Sequence, residues 1–355
     1  MKIERRKTAT VKIGRVNVGS GHPVAVQSMC KAKTSDVDSC VRQIKGLEKA
    51  GCEIIRVAVK DSSDAEAIKE IKKSIKIPLV ADIHFHWQLA IKAIEAGADK
   101  IRLNPGNISK PDEIRIVVSA IKDAGIPLRI GLNSGSVTDR PGKSMPDKLV
   151  NGAMDYIRII EKLKFFDLVI SLKANNVLDT VEAYRKISRS CDYPLHLGVT
   201  ATGSPFAGAI KSTVAIGALL LEGIGDTIRV SLTDDPLREV EAARNILESL
   251  GLRRFGPQII SCPTCGRCGV DLVEIVRELE DKLSDYPVNR LPVKPVKIAV
   301  MGCVVNGPGE AAEADIGVAF GEKAGMLFRK GKAMRKIDYK DCVGALLKEM
   351  ERMNG

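Results

Sequence analysis

The chain has 355 residues, long for one domain and comfortable for two. Hydrophobic residues at 45% fill a large core and charged residues at 28% keep it soluble, while only 4% is aromatic, which excludes a base-stacking nucleic-acid surface. A net charge of +11 favours small anionic partners, and the run F-R-K-G-K-A-M-R-K at 328–336 reads as a solvated basic face.

The N-terminus, M-K-I-E-R-R-K-T-A-T-V-K-I-G, is charged and lacks the apolar centre of a signal peptide. The longest apolar stretch, around Val214 to Leu221, falls short of the roughly 20 residues that span a bilayer. The expectation is a cytoplasmic protein with no membrane contact. Structural disulfides are rare in that compartment, so nine cysteines point to metal binding.

Apolar runs and breakers then alternate regularly over the first ~240 residues. Strands are expected at 23–29, 54–59, 78–85, 100–106, 128–133, 167–173, 194–200 and 227–232. Stretches with apolar spacing of three and four lie between them, including Val41 to Ala50, Trp87 to Ala98 and Leu237 to Leu250. Gly51, Gly97, Gly125 and Gly251 supply helix stops. Eight strand-then-helix units predict a closed (β/α)8 TIM barrel, and no glycine-rich dinucleotide fingerprint follows the first strand.

Barrel chemistry sits at the C-terminal strand ends. The residues expected there are Arg56, Asp82 with His84, Arg102 with Asn104, and Arg129 with Asn133. Ser171 with Lys173, His196 with Thr200, and Arg229 with Ser231 complete the ring. Four strands share an arginine between apolar neighbours: I-R-V, I-R-L, L-R-I and I-R-V. Four guanidinium groups buried without counter-ions are costly, which implies a bound anion, and the planar fork of Arg suits phosphate. With Lys173 the mouth reads as a cup for a diphosphate.

Beyond the barrel, S-C-P-T-C-G-R-C at 261–268 and M-G-C-V-V-N-G-P-G-E at 301–310 carry the remaining chemistry. Cys262 and Cys265 have the C-x2-C spacing of a shared metal centre. A zinc ribbon on Cys262, Cys265, Cys268 and Cys303 and an iron–sulfur cluster both fit that spacing. The loop after Cys303 tilts the choice: a tight Gly-Pro-Gly turn would return the Glu310 carboxylate towards the Cys303 sulfur. Three thiolates and a hard, displaceable carboxylate suit a [4Fe–4S] cluster better than closed zinc. Cys30, Cys40, Cys52, Cys191 and Cys342 read as small core residues.

Taken together, C-P-T-C-G-R, M-G-C-V-V-N-G-P-G-E, V-A-D-I-H-F, R-L-N-P-G-N-I, L-H-L-G-V-T and E-G-I-G-D-T-I-R-V-S-L resemble the 4-hydroxy-3-methylbut-2-enyl diphosphate synthase family over essentially the whole chain. The resemblance implies a TIM barrel over residues 1–254, followed at 255–355 by a small α+β domain akin to sulfite reductase. It implies a [4Fe–4S] cluster on Cys262, Cys265, Cys303 and Glu310, with Cys268 a bystander. The implied substrate is 2-C-methyl-D-erythritol 2,4-cyclodiphosphate, reduced in isoprenoid biosynthesis with flavodoxin or ferredoxin as electron donor. Substrate-binding positions carried over are Arg56, Arg102, Asn104, Arg129, Asn133, Lys173, His196, Arg229 and Ser231. A head-to-tail homodimer, with the cluster of one chain capping the barrel of the other, is also implied. The chain departs from the family pattern at Q-S-M-C-K-A (27–32), at H-W-Q (86–88) and at T-A-T-G (200–203), where Ala201 replaces a glutamate and cannot move a proton.

Overall fold

The computed structural model describes residues 3–200, 202–284, 296–321 and 324–353. The chain separates into two compact units, Met1–Arg253 and Arg254–Gly355. No helix among the described residues is long and apolar enough to cross a membrane.

The first unit is the barrel. Its strands run in chain order as Ala25–Met29, Ile54–Val59, Leu79–Ile83, Lys100–Leu103, Leu128–Asn133, Leu168–Lys173, His196–Leu197 and Thr227–Ile228. Neighbours pair in parallel, the eighth returns to the first, and an Ile170–Leu195 bridge joins the sixth to the segment entering the seventh. Burial on both faces accounts for the near-continuous apolar runs: every residue of the third, fourth and sixth strands is buried. Intervening helices begin at side-chain caps such as Asp61, Ser144 and Asn176. The helix Pro111–Ala124 ends at Gly125, whose φ of 63° is the left-handed conformation that glycine adopts at least cost.

Two features differ from the sequence expectation. The seventh and eighth strands are regular for two residues each rather than over 194–200 and 227–232, because the ladder there breaks into single bonds such as Arg229 N–H to the Leu197 carbonyl at 3.0 Å. A hairpin of Val11–Ile13 with Val16–Val18 precedes the barrel. Val11, Ile13 and Val18 pack on Ala25, Ile54, Val80 and Val169, near the N-terminal strand ends, and so plug the bottom of the barrel with apolar side chains.

The second unit holds a five-stranded sheet in the order Gln258–Ser261, Lys297–Met301, Ile316–Phe320, Gly325–Arg329 and Lys332–Ile337. The first three strands are parallel and the last two antiparallel additions. The helices Leu272–Ser284 and Cys342–Glu351 supply Leu279, Leu346 and Met350 to a core with Ile298, Val300, Val318 and Phe320. The Gly-Pro-Gly stretch, expected as a tight turn, is instead the opening of a helix, Gly307–Glu313, with Pro308 in its first turn.

Candidate functional site

Alternation along a strand sends residues two apart to one face. Above the apolar plug, this rule stacks Gln27, Arg56, Asp82, Lys100 with Arg102, Arg129, Ser171, His196 and Thr227 into the barrel interior. A TIM-barrel interior is ordinarily filled by branched apolar side chains. Here Lys100, Arg102, Arg129, Lys173 and His196 are buried, with Arg129 at 1% exposure. Arg56, Arg102 and Arg129 therefore stand inside their strands rather than at the strand ends where the sequence had suggested them, whereas Arg229 directly follows the strand Thr227–Ile228.

The expectation that these arginines lack counter-ions is corrected by two carboxylates. Asp82 accepts from Arg102 at 2.9 Å and lies 3.3 Å from Arg56. Glu239, from the helix Pro236–Ser249, is 1% exposed, accepts from Arg229 at 3.1 Å and from the Leu232 amide at 3.0 Å, and is ion-paired with Lys31 at 3.1 Å. Burial resists ionisation of Asp82 most strongly, but the fields of Arg56, Arg102, Arg129 and His84 together outweigh it and hold the carboxyl well below its ordinary range.

Arg56 and Arg102 share Asp82, and Arg229 shares Glu239 with Lys31, so with Arg129, Lys100 and Lys173 beside them positive charge remains in excess. Burial pulls Arg56 down to about 10 even with Asp82 beside it. Burial, and after it the neighbouring guanidiniums, push Lys100 and Lys173 well below the usual lysine value. His196 is pushed the same way by burial, then by Arg129, Lys173, Lys100 and Arg56, and stays neutral. Buried nitrogens without a hydrogen-bond partner among the described residues line this interior: Gln27 Nε2, Arg56 Nε, Lys100 Nζ, Arg129 Nε, His196 Nε2 and Arg229 Nε. An anion with several acceptor oxygens satisfies both the charge and the donors.

Two glycines make room for the cations. A Cβ at Gly131 would lie 2.6 Å from Arg102 Nε, and one at Gly198 would lie 2.7 Å from Lys173 Nζ. Other expected residues are already engaged locally. Asn104 accepts from the Gly106 amide at 3.1 Å, Asn133 caps the short turn Ser134–Ser136, and Ser231 accepts from Arg229. His84 is half-buried beside exposed Phe85, and Ser171 is buried within the sixth strand. Ala201 lies outside the described residues.

The sequence reading missed Glu239, Lys31, Lys100 and Gln27. Lys100 sits in phase with an expected site residue, two positions before Arg102, so strict alternation would have found it, whereas no site residue was expected on the strand Ala25–Met29 that carries Gln27. Glu239 and Lys31 carry no such signal.

In the second unit, Cys262 follows the strand Gln258–Ser261 and Cys303 follows Lys297–Met301. Those strands pair in parallel with Ser261 beside Val300, so both cysteines leave the sheet at the same, C-terminal end of their strands. Thr264, at φ 62°, bends the chain between Cys262 and Cys265. The Gly302 amide donates to Cys262 Sγ at 3.4 Å, and a Cβ on Gly302 would stand 2.3 Å from Cys268 Sγ, so Cys262 and Cys268 both crowd the residue before Cys303. Backbone amides of Val305, Asn306 and Gly307 face the Cys303 sulfur and lower its pKa. Sulfurs that receive amide hydrogen bonds, one of them held towards thiolate, fit an iron–sulfur donor set. Glu310 stands exposed in the first turn of the helix that follows. Among the described residues no three His, Cys, Asp or Glu side chains are gathered closely enough to hold a metal ion. Cys30, Cys40, Cys52 and Cys342 are buried and Cys191 is half-buried; burial raises Cys52 to about 12.

Residues 8–244 match the family model described as the GcpE TIM-barrel domain, and residues 258–352 match the GcpE protein C-terminal domain. The chain is 52% identical to the 4-hydroxy-3-methylbut-2-en-1-yl diphosphate synthase (flavodoxin) of Caldanaerobacter subterraneus subsp. tengcongensis, covering 98% of each chain. It is 50% identical to the protein of the same name from Clostridium perfringens, over 98% of this chain and 99% of that one. Among solved structures, dihydropteroate synthase of Yersinia pestis superposes with a TM-score of 0.51 at 12% identity, over 69% of this chain and 100% of that chain. The Xanthomonas albilineans dihydropteroate synthase gives 0.51 at 13% identity, over 69% and 99%. At such identities the likeness shows the barrel fold alone.

Proposed function

The chain belongs to the GcpE family, and from that premise we propose that it converts 2-C-methyl-D-erythritol 2,4-cyclodiphosphate to 4-hydroxy-3-methylbut-2-enyl diphosphate in isoprenoid biosynthesis. The observation that carries the substrate side is the excess of buried cations in the barrel, with unpartnered donors beside them. A cyclic diphosphate is the compact polyanion that such an interior suits.

The residues divide the work. Arg56, Arg102, Arg129, Arg229 and Lys173 hold the two phosphates, while Asp82 and Glu239 fix Arg102 and Arg229 in place beforehand. Pre-set donors are worth most where charge develops late. As the carbon–oxygen bond to one phosphate breaks, that oxygen keeps the electron pair and the guanidiniums stabilise it. A hydroxyl leaves as water; counted with the phosphates fully protonated on both sides, the substrate takes up two electrons and two protons in all. A neutral His196, tied through Nδ1 to Thr227 Oγ1 at 2.8 Å, leaves Nε2 to hydrogen-bond the guest. Asn104, Asn133 and Ser231 border it.

Side chains donate no single electrons at low potential. A [4Fe–4S] cluster on Cys262, Cys265, Cys303 and Glu310 would supply them, with flavodoxin, which the relatives' names carry, as donor. The amide contacts to Cys303 and Cys262 support that donor set. The barrel thus holds substrate and the second unit delivers electrons, in a head-to-tail homodimer that presents one chain's cysteines to the other's barrel.

The test is anaerobic. Reconstituted protein is expected to be brown, to carry iron and acid-labile sulfide, and to turn over the cyclodiphosphate with reduced flavodoxin. Arg129→Gln is expected to raise KM by about a hundredfold, since a charge-assisted contact is worth about 3 kcal/mol. Colourless protein holding stoichiometric zinc, with no turnover, overturns the reading.

A further inference from the structure

The basic run at the end of the second unit has no place in the reaction described so far. Between Arg329 and Lys340 stand six cations, Arg329, Lys330, Lys332, Arg335, Lys336 and Lys340, against the single carboxylate of Asp338. Arg329 pairs with Glu349 at 3.5 Å, whereas no carboxylate among the described residues pairs with Lys332, Arg335, Lys336 or Lys340. Lys332–Ile337 is the edge strand of the sheet, exposed at every residue except Ile337.

Register ties this edge to the cysteines. Met301 pairs with Ala319, Ala319 with Met326, and Met326 with Lys336. Lys336 therefore occupies the same cross-strand row as Met301, two residues before Cys303. Two successive antiparallel pairings leave the edge strand parallel to Lys297–Met301, so its C-terminal half emerges at the side of the sheet where Cys303 does. Three strand spacings put the row's ends about 14 Å apart.

We propose that the strand Lys332–Ile337, with Lys340 beyond it, is the docking surface for the acidic electron-carrier protein that serves this chain, a reduced flavodoxin. The inference rests on the redox function above and adds the place where the carrier binds. Complementary charge is the recognition such a partner needs: electron-transfer complexes are small and short-lived, and charge steering rather than buried area sets their encounter rate. Each docking passes one electron from the reduced flavin towards the cysteine-held centre, and two dockings supply the two electrons one guest consumes. Lysines on an exposed edge also deter pairing with a foreign strand; that role alone predicts no selective effect on the carrier.

The experiment uses the full chain and two readouts. Binding of oxidised flavodoxin is measured by calorimetry at low and at moderate salt, for wild type and for the combined Lys332→Glu, Arg335→Glu and Lys336→Glu variant. An equal charge reversal on the barrel unit, Lys12→Glu with Lys45→Glu and Lys69→Glu, is the control. The edge variant is expected to bind at least about tenfold more weakly and to lose most of its salt dependence, with the control within about threefold of wild type. Turnover driven by flavodoxin should fall in parallel, and turnover driven by dithionite should not change. The neutral pair Lys332→Gln with Lys336→Gln, which keeps a polar edge, should weaken binding in the same direction by about threefold. Undiminished binding in the edge variants, or equal weakening in edge and control variants, overturns the proposal. Wild type that binds flavodoxin yet never turns over the cyclodiphosphate counts instead against the proposed reaction.

Discussion

Among the described residues Lys100 has no carboxylate to answer it. Its Nζ is buried without a partner, between Arg129 and Arg56, at the first residue of its strand. A lysine in that setting costs stability, because the fold must either bury a charge or strip its proton. Lys100→Met keeps the length of the stem and removes the amine. The variant is expected to be more stable by about 2 kcal/mol, read as a higher thermal midpoint at pH 7.5 without ligand. A lower midpoint would mean that the amine is held by an interaction worth more than its burial. In the sequence this lysine is legible, since K-I-R-L places it in phase with Arg102. Glu239 is not: it reads as one acid among several on an amphipathic helix, and only its approach to Arg229, Lys31 and the Leu232 amide reveals it.

At the level of elements, the fifth strand shows how a backbone makes space for a charge. Gly131 faces the interior between Arg129 and Asn133, its carbonyl accepts from Arg102 at 2.7 Å, and the space a Cβ would need is taken by Arg102 Nε at 2.6 Å. Gly131→Ala therefore pushes Arg102 off Asp82 while leaving both charges present. The expected result is a loss of about 2 kcal/mol in stability, with a larger rise in KM than fall in kcat. An unchanged KM would mean that Arg102 does not touch the guest. The same strand explains what could be foreseen. Leu128–Asn133 and Ile54–Val59 match their expected limits because burial leaves each strand mainly apolar, with its single arginine flanked on both sides by apolar residues. The hairpin Val11–Ile13 with Val16–Val18 escaped notice because strands of three residues carry too few alternations to stand out. The stretch after Cys303 misled for the opposite reason: Gly and Pro signal a turn, yet Pro is equally at home in the first turn of a helix.

For the whole molecule, a barrel with cations in place of an apolar interior should be sensitive to acid. His196 is the group that sets the first window. Inside the barrel its pKa lies well below the usual 6.5, chiefly through burial and then through Arg129, Lys173, Lys100 and Arg56. The unfolded chain therefore binds a proton below about 6.5 that the folded chain refuses, and stability falls as pH drops through that value. Asp82 acts in a second, lower window. Its folded pKa is depressed from the usual 3.8, so its contribution is present above that value and is lost as pH falls through the folded pKa. The second unit has its own core around Leu279, Val300 and Phe320 and contains no histidine, so the first window belongs to the barrel. Calorimetric scans from pH 7.5 to 5.5 should lower the barrel's transition while leaving the other unit's nearly fixed. In His196→Gln the slope between those pH values should flatten, whatever the variant's absolute midpoint. A wild-type barrel whose midpoint does not move over that interval would show that the interior admits the proton, and that its excess of positive charge is smaller than Arg56, Arg102, Arg129 and Arg229 imply.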